Sequence, residues 1–334
     1  MAGFKGTYSS KQKEEIMSNY PIMDLRSTDI LCYHKVHRKG QPATGFEEDG
    51  LSLDETEFER HLMYLKAQYN ILNLENSDEE GKGFKKKLIL TFDDGTRDIV
   101  EVILPIIEKH NIPIVIFITT SLVEDNSASC WFIDLWENIK ERSELRIKIR
   151  QELMVFNTET ILQKNTSFRE IHRILFQMNR QEQMEFFAAN NLKTNYNKYF
   201  LNKGDLVRLA DHHLVTLGFH SHYHLNYKIE NLAVIENDID KMLSFFKVNN
   251  IAPNRRMFAF CYGISSQIFL DSALANRFDL YFTLGFKSMI LNKRLSVISR
   301  IDVSGLTLNQ LKVKLKLLRV IRFVLNIFKG EKGE

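Results

Sequence analysis

The sequence predicts an α/β protein built on parallel strands, and three observations carry that expectation. Residues 87–92, 99–107 and 114–119 read as strand, helix and strand, the β-α-β order that joins parallel neighbours. Further apolar runs at 214–219, 256–260, 280–284 and 295–298, with a helix near 230–246, continue the alternation. Finally, 44% of the 334 residues are hydrophobic, enough to bury a sizeable core. Such alternation fits an α/β barrel or a doubly wound sheet.

Taken in order, residues 1–27 form a polar arm in which Lys11-Gln-Lys-Glu-Glu15 replaces the apolar stretch of a secretory signal, so none is expected. Residues 29–34 (Asp-Ile-Leu-Cys-Tyr-His) read as a short buried strand ending at a histidine. Residues 56–68 read as a helix with Phe58, Leu62 and Leu65 at core spacing, followed by a strand at 69–74 and a loop at 76–87. In the helix after Gly95, Ile99, Val102, Ile103, Ile106 and Ile107 share one face, and Pro105 is expected to interrupt it. Residues 124–205 break the alternation. They are rich in helix formers and hold Trp131 and Trp136, and read as a helical insertion over or beside the mouth of the core, or as a peripheral subdomain.

The 45 basic residues against 42 acidic ones leave a formal charge of +3, too weak to indicate nucleic acid. Cys32, Cys130 and Cys261 are far apart and odd in number, which suggests neither a zinc knuckle nor a disulfide framework and favours a reducing compartment. No run reaches the length of a membrane-spanning helix. The expected location is cytoplasmic.

The most informative stretch is Lys87-Leu-Ile-Leu-Thr-Phe-Asp93-Asp94-Gly95. Two like charges at the mouth of a buried strand repel each other, and a cation held by one of them relieves the repulsion while the other handles a proton. An ordinary Asp-Asp-Gly turn is the plain alternative. The second stretch is Gly218-Phe-His220-Ser-His222-Tyr-His224. Its His-x-x-x-His spacing puts two imidazoles on one face of a helical turn; on a strand, His220 and His222 would share a face instead. Two imidazoles and one carboxylate make a common catalytic zinc set with room for water, and Asp94 supplies the carboxylate. Both stretches end predicted strands, where α/β barrels assemble their sites.

Thr91-Phe-Asp-Asp-Gly95 with His220-Ser-x-x-His224 resembles the polysaccharide deacetylases, carbohydrate esterase family 4. Phe258-Ala-Phe-Cys-Tyr-Gly263 is similar to that family's third motif, while Ile30–Val36 and Gly50–Arg60 look like the branch acting in exopolysaccharide and surface-glycan synthesis. The resemblance spans residues 29–303 apart from the insertion. It implies a distorted (β/α)7–8 barrel over residues 28–305, including the helical insertion at 124–205. It further implies that Asp94, His220 and His224 hold a divalent metal, usually zinc, that Asp93 is the general base for the attacking water, and that the backbone N–H of Tyr262 stabilises the oxyanion.

The chain departs from the family at three positions. The family's C-terminal Leu-x-x-His motif supplies an acid for the departing amine, yet no histidine follows Leu284 here. In the exopolysaccharide branch an N-terminal Tyr-His fills the role, which implies His34 as general acid. The family's base-orienting arginine is replaced by Ala259 and its proline by Cys261; Arg300 is expected to approach Asp93 from another strand end, or else to pair with Asp302. His222 falls outside the ligand spacing, and Cys261 reads as a small buried residue.

Residues 306–334 form a basic amphipathic helix, with Lys312, Lys316 and Arg319 on one face and Leu311, Leu315, Leu318 and Phe323 near another. It either touches an anionic membrane surface or packs on the barrel. The expected activity is metal-dependent N-deacetylation of an N-acetylated sugar in a surface polysaccharide or its lipid-linked precursor. The rivals are a deformylase or O-deacetylase on a related glycan, a small-amide hydrolase, and a non-catalytic glycan binder using Trp131 and Trp136 as sugar platforms.

Overall fold

A computed structural model describes residues 25, 28–41, 50–74, 85–124, 128–149, 152–194, 197–253, 255–285, 288–290 and 296–330, with helical backbone only over 322–330. The polar arm at 1–27, apart from Leu25, and most of the loop at 76–87 lie outside the described residues, as do the side chains of Arg322, Phe323, Phe328 and Lys329.

In chain order, β1 (Asp29–Tyr33), β2 (Lys35–His37) and β3 (Ser52–Asp54) precede helix α1 (Glu55–Gln68), which Asp54 caps by accepting from the Thr56 N–H. Strands β4 (Tyr69–Ile71) and β5 (Lys86–Phe92) follow. A wide π-turn at Ile99–Ile103 then leads into α2 (Leu104–His110). The helix changes from π to α directly before Pro105, which stands in the first α-turn, where its missing N–H is tolerated, so the expected interruption falls at the proline. Next come β6 (Ile114–Ile118), α3 (Thr120–Glu124), α4 (Trp131–Lys140), β7 (Glu144–Ile149), β8 (Glu152–Asn157), α5 (Ile161–Leu175), α6 (Arg180–Ala189) and α7 (Lys203–Ala210). The chain continues through β9 (Val215–Phe219), α8 (Leu232–Val248), β10 (Met257–Ala259), α9 (Gln267–Leu270), β11 (Leu280–Leu284), β12 (Met289–Ile290), β13 (Ser296–Asp302) and α10 (Leu308–Gly330).

Seven parallel strands close into a barrel in the order β1-β13-β11-β10-β9-β6-β5, and the β5–β1 pairing completes the ring. Strand β4 pairs with the outer edge of β5, and β12 runs antiparallel to β13. Both faces of the strands are buried, which explains their unbroken apolar runs. Alternate residues divide between two layers: Ile30, Ile89, Val115, Phe117, Met257, Ala259, Phe282 and Ile298 fill the barrel, while Leu31, Leu88, Leu90, Ile116, Leu217, Phe258 and Val297 face the surrounding helices. Continuing the inward parity past the strand ends brings Asp93 after Ile89 and Thr91, His34 after Ile30 and Cys32, and Cys261 after Met257 and Ala259, while within β13 it brings Arg300 after Ile298. The barrel interior thus delivers these side chains to one mouth.

The stretch 124–205 is not wholly helical. Strands β7 and β8 form an antiparallel hairpin whose Leu145, Ile147 and Ile149 are buried between exposed Glu144, Arg146 and Lys148. That period-2 alternation overrides the helix propensity of its charged residues. The hairpin and helices α4 to α6 share a core around Trp136, Phe168 and Ile171, and Tyr262 packs against it. Leu311, Leu315 and Leu318 of α10 are buried on the barrel, so these three side chains pack on the core.

Candidate active site

Backbone pairing sets the floor of the site. The Asp93 N–H donates to the Tyr33 carbonyl at 3.0 Å, one step beyond the Tyr33–Phe92 register of β1 and β5. Asp94 then turns into the left-handed region at φ 72°, followed by Gly95 at φ 81°. Ser221, His224 and Tyr262 are also left-handed, at φ 68°, 55° and 59°. Non-glycine residues in this region are uncommon and cluster at functional sites, where surrounding contacts hold them. At Gly263, also left-handed, a Cβ would sit 2.3 Å from the Leu284 side chain, so only glycine closes this turn.

The histidine segment 220–224 is not a helical turn. It is an irregular loop, and Asp238 of α8 shapes it. The buried Asp238 carboxylate accepts from the Ser221 hydroxyl at 2.8 Å, the His222 N–H at 3.0 Å, the Tyr223 N–H at 2.8 Å and the Tyr227 hydroxyl at 2.8 Å. The two left-handed residues swing His220 and His224 onto a common target: Asp94 Oδ1 lies 3.3 Å from His220 Nε2 and 3.2 Å from His224 Nε2. His222 points elsewhere, with Nδ1 2.8 Å from the Thr120 hydroxyl, in keeping with its place outside the ligand spacing.

This cluster has the chemistry of a cation site. His220 Nδ1 is 2.8 Å from the Ala259 carbonyl, which can only accept, so Nδ1 carries the proton and the neutral ring aims a lone pair from Nε2 at Asp94. Asp94 Oδ1 is itself buried without a hydrogen-bond partner. Lone pairs facing a carboxylate need a positive charge between them. A cation bound there would supply it; without one the imidazoles draw protons. Burial by itself lowers both histidines, but Cys261, Asp93 and Asp94 outweigh it for His220 and lift it well above the ordinary value, and Cys261 and Asp94 raise His224 to about 9. Burial works to raise Asp94, yet the two imidazoles hold it well below the usual carboxylate range.

Asp93 lies beside this cluster, with Oδ2 3.9 Å from His220 Nε2 and 4.0 Å from His34 Nε2. Arg300, wholly buried, forks onto it, Nη1 to Oδ1 at 2.6 Å and Nη2 to Oδ2 at 2.7 Å. Nη1 also donates to the Thr91 hydroxyl at 3.1 Å, and the guanidinium sits 5.1 Å above the Phe117 ring centroid. Arg300 therefore pairs with Asp93, while Asp302 turns to the Ser304 N–H at 3.0 Å. Burial raises the Asp93 carboxyl, but Arg300, His220 and His34 bring it below its ordinary value, so it is ionised at neutral pH. His34 Nδ1 is 2.9 Å from the Ser304 hydroxyl, which leaves Nε2 facing Asp93.

Tyr262 forms the opposite wall, its ring centroid 4.7 Å from that of His224. Its hydroxyl accepts from Trp131 Nε1 at 2.8 Å and donates to the His224 carbonyl at 3.4 Å, and Phe132 lies 6.0 Å from the His224 ring. The stretch 124–205 thus braces the site through α4. Trp131 and Trp136 are only 7% and 2% exposed, so neither offers a face for stacking on a sugar, and the glycan-binder reading built on them fails.

Reading the sequence alone missed Asp238, Ser304, the Ala259 carbonyl and Cys32, whose thiol lies 3.4 Å from Asp93 Oδ2. Asp238 left a trace, a carboxylate amid the core residues Ile235, Ile239 and Met242 of an amphipathic helix. Ser304 and the carbonyl left none.

The family model for polysaccharide deacetylase matches residues 80–280. Among solved structures, a de-N-acetylase from Aggregatibacter actinomycetemcomitans is 15% identical, with 85% of this chain and 98% of that chain covered at a TM-score of 0.51. A polysaccharide deacetylase from Bacillus cereus is 12% identical, with 86% of this chain and 68% of that chain covered at a TM-score of 0.52. At such identities the likeness shows the fold, a distorted parallel barrel, and no curated protein matches the chain. A match over more than half of its length, carrying both the Asp-Asp and the His-x-x-x-His segments, makes this chain a member of the polysaccharide deacetylase family.

Proposed function

We propose that the protein hydrolyses the N-acetyl group of an amino sugar in a bacterial surface polysaccharide or its lipid-linked precursor, using a divalent ion, zinc in the first instance, held by Asp94, His220 and His224. The observation that carries this reading is Asp94 Oδ1 set between two imidazole nitrogens, beside an Asp93 locked by Arg300.

When bound, such an ion polarises the acyl carbonyl and makes the attacking water acidic. The protein's own residues supply the rest. Asp93 accepts the proton of the attacking water. The arginine fork keeps it ionised and fixed in direction, at the cost of making it a weak base, which suits a water already made acidic. The Tyr262 N–H, presented by a left-handed turn, serves the developing oxyanion. His34 gives the Nε2 proton to the departing amine, and Ser304 at Nδ1 keeps the ring oriented. His34, His224 and Tyr262 each show a solvent-accessible edge, and substrate is taken to enter from that side.

The test is acetate release from N-acetylated amino-sugar oligomers, with elemental analysis of wild type and His220→Ala. The expected result is about one ion per chain, lost in the variant along with acetate release. Wild type that stays free of metal under replete conditions overturns the reading, and formate in place of acetate from a formylated substrate identifies a deformylase.

A lipid-linked precursor is met at a membrane surface. In α10, Val313, Leu317 and Val320 remain exposed beside Lys316, a surface that suits an anionic bilayer. Co-sedimentation with anionic vesicles, compared with Leu317→Glu, tests this contact; equal binding by both removes it.

A further inference from the structure

We propose that Cys261 is a fourth protein donor to the cation held by Asp94, His220 and His224. The proposal rests on the metal-site reading above and deepens it. The ligating atoms of His220, His224 and Cys261 all lie within 4.8 Å of one another. The thiol is buried, and its hydrogen-bond partner is the His220 carbonyl at 3.4 Å. It reaches the cluster by the inward parity of β10, after Met257 and Ala259, and the left-handed Tyr262 and Gly263 fix the turn that follows. A second observation points independently to a cation here: the buried Asp94 Oδ1, which has no hydrogen-bond partner, facing both imidazoles.

The chemistry follows from sulfur. On loading, Cys261 bonds the ion as a thiolate through a sulfur lone pair, and the proton shared between Cys261 and the two imidazoles passes to solvent. A soft thiolate favours zinc over magnesium or manganese. With four protein donors, an ion held here would have to take water as a fifth.

Cobalt(II) replaces zinc as the probe. A cobalt–thiolate bond gives an intense near-ultraviolet charge-transfer band, while nitrogen and oxygen donors give only weak visible bands. The expected result is both sets in wild type, with loss of the near-ultraviolet band alone in Cys261→Ala and its retention in Cys32→Ala and Cys130→Ala. Visible bands without the near-ultraviolet one, or a band that survives Cys261→Ala, overturn the thiolate donor and leave the Asp94–histidine site standing. No cobalt absorption of either kind overturns both. Should Cys261→Ala fail to fold, zinc-edge X-ray absorption of wild-type protein decides: a sulfur shell at about 2.3 Å supports the proposal, and nitrogen and oxygen neighbours alone, at about 2.0–2.2 Å, overturn it.

Discussion

Arg300 holds Asp93 by both carboxylate oxygens, at 2.6 and 2.7 Å, and neither residue has appreciable contact with solvent. The two residues are 207 positions apart, joined because β13 and β5 both flank β1. Removing either partner strands a buried charge. Arg300→Met is expected to cost about 3–5 kcal/mol of stability. Substituting both, Arg300→Met with Asp93→Leu, should recover most of that loss, because two apolar side chains leave no charge unpaired. Chemical denaturation of both variants checks this; losses that simply add would contradict it.

Asp93→Asn separates base from ligand. It should keep its metal, since Asp94 and the histidines are untouched, and lose about 10²–10⁴-fold in turnover. Metal content and acetate release measured on the same preparation decide the matter, and full turnover would remove Asp93 from the mechanism.

His34→Ala should also lower turnover about 10²–10⁴-fold without loss of metal. Ser304→Ala, which frees the ring without removing it, should cost less and act on kcat rather than KM. Equal damage by both substitutions would mean that His34 serves the fold and not proton transfer.

Asp238→Ala tests how the ligand loop is built. Hydrogen bonds to charged groups contribute about 1.5–3 kcal/mol each, and four converge on this carboxylate. Loosening the loop should weaken metal binding about 10–100-fold although Asp238 touches no ligand nitrogen. A metal titration giving wild-type affinity would show that the left-handed turns hold without it.

Stability should fall in mild acid. Burial lowers His61, His172 and His222 to about 4 from an ordinary 6.5, with Lys241 and Arg180 assisting at His222. A depressed folded value means that the stabilising contribution is present above about pH 6.5 and drains away as pH falls towards 4, since the unfolded chain takes up protons that the folded one refuses. Asp98, raised by burial to about 6, acts in the opposite sense, as do Asp238 and Glu230, also raised by burial, so the histidine contribution is read from the difference between wild type and a histidine variant. Thermal unfolding of metal-free protein should show Tm dropping from pH 7 to pH 4.5, less steeply in His172→Phe. Parallel profiles for the two proteins would discount His172.

Strand order along the chain and the Asp93–Asp94 and His220–His224 sets were legible because each rests on local spacing: a period of two, a charged pair ending an apolar run, two histidines four apart. Arg300 was legible only through the resemblance, as a stand-in for the family's base-orienting arginine. Ring closure between β1 and β5, which skips three intervening strands, was not, and neither was the Ser304–His34 contact across 270 positions. The hairpin at 144–157 shows the opposite failure: a local signal was present in Leu145, Ile147 and Ile149, but the charged residues between them suit helices equally well.

His34 and Asp93 follow directly on Tyr33 and Phe92, which face each other across the β1–β5 ladder. The spacing of the proposed proton donor and acceptor is therefore a property of sheet register, as rigid as the barrel itself, and independent of the long connection between the two strands. Descendants of this chain can rewrite that connection while inheriting the proton-transfer pair intact.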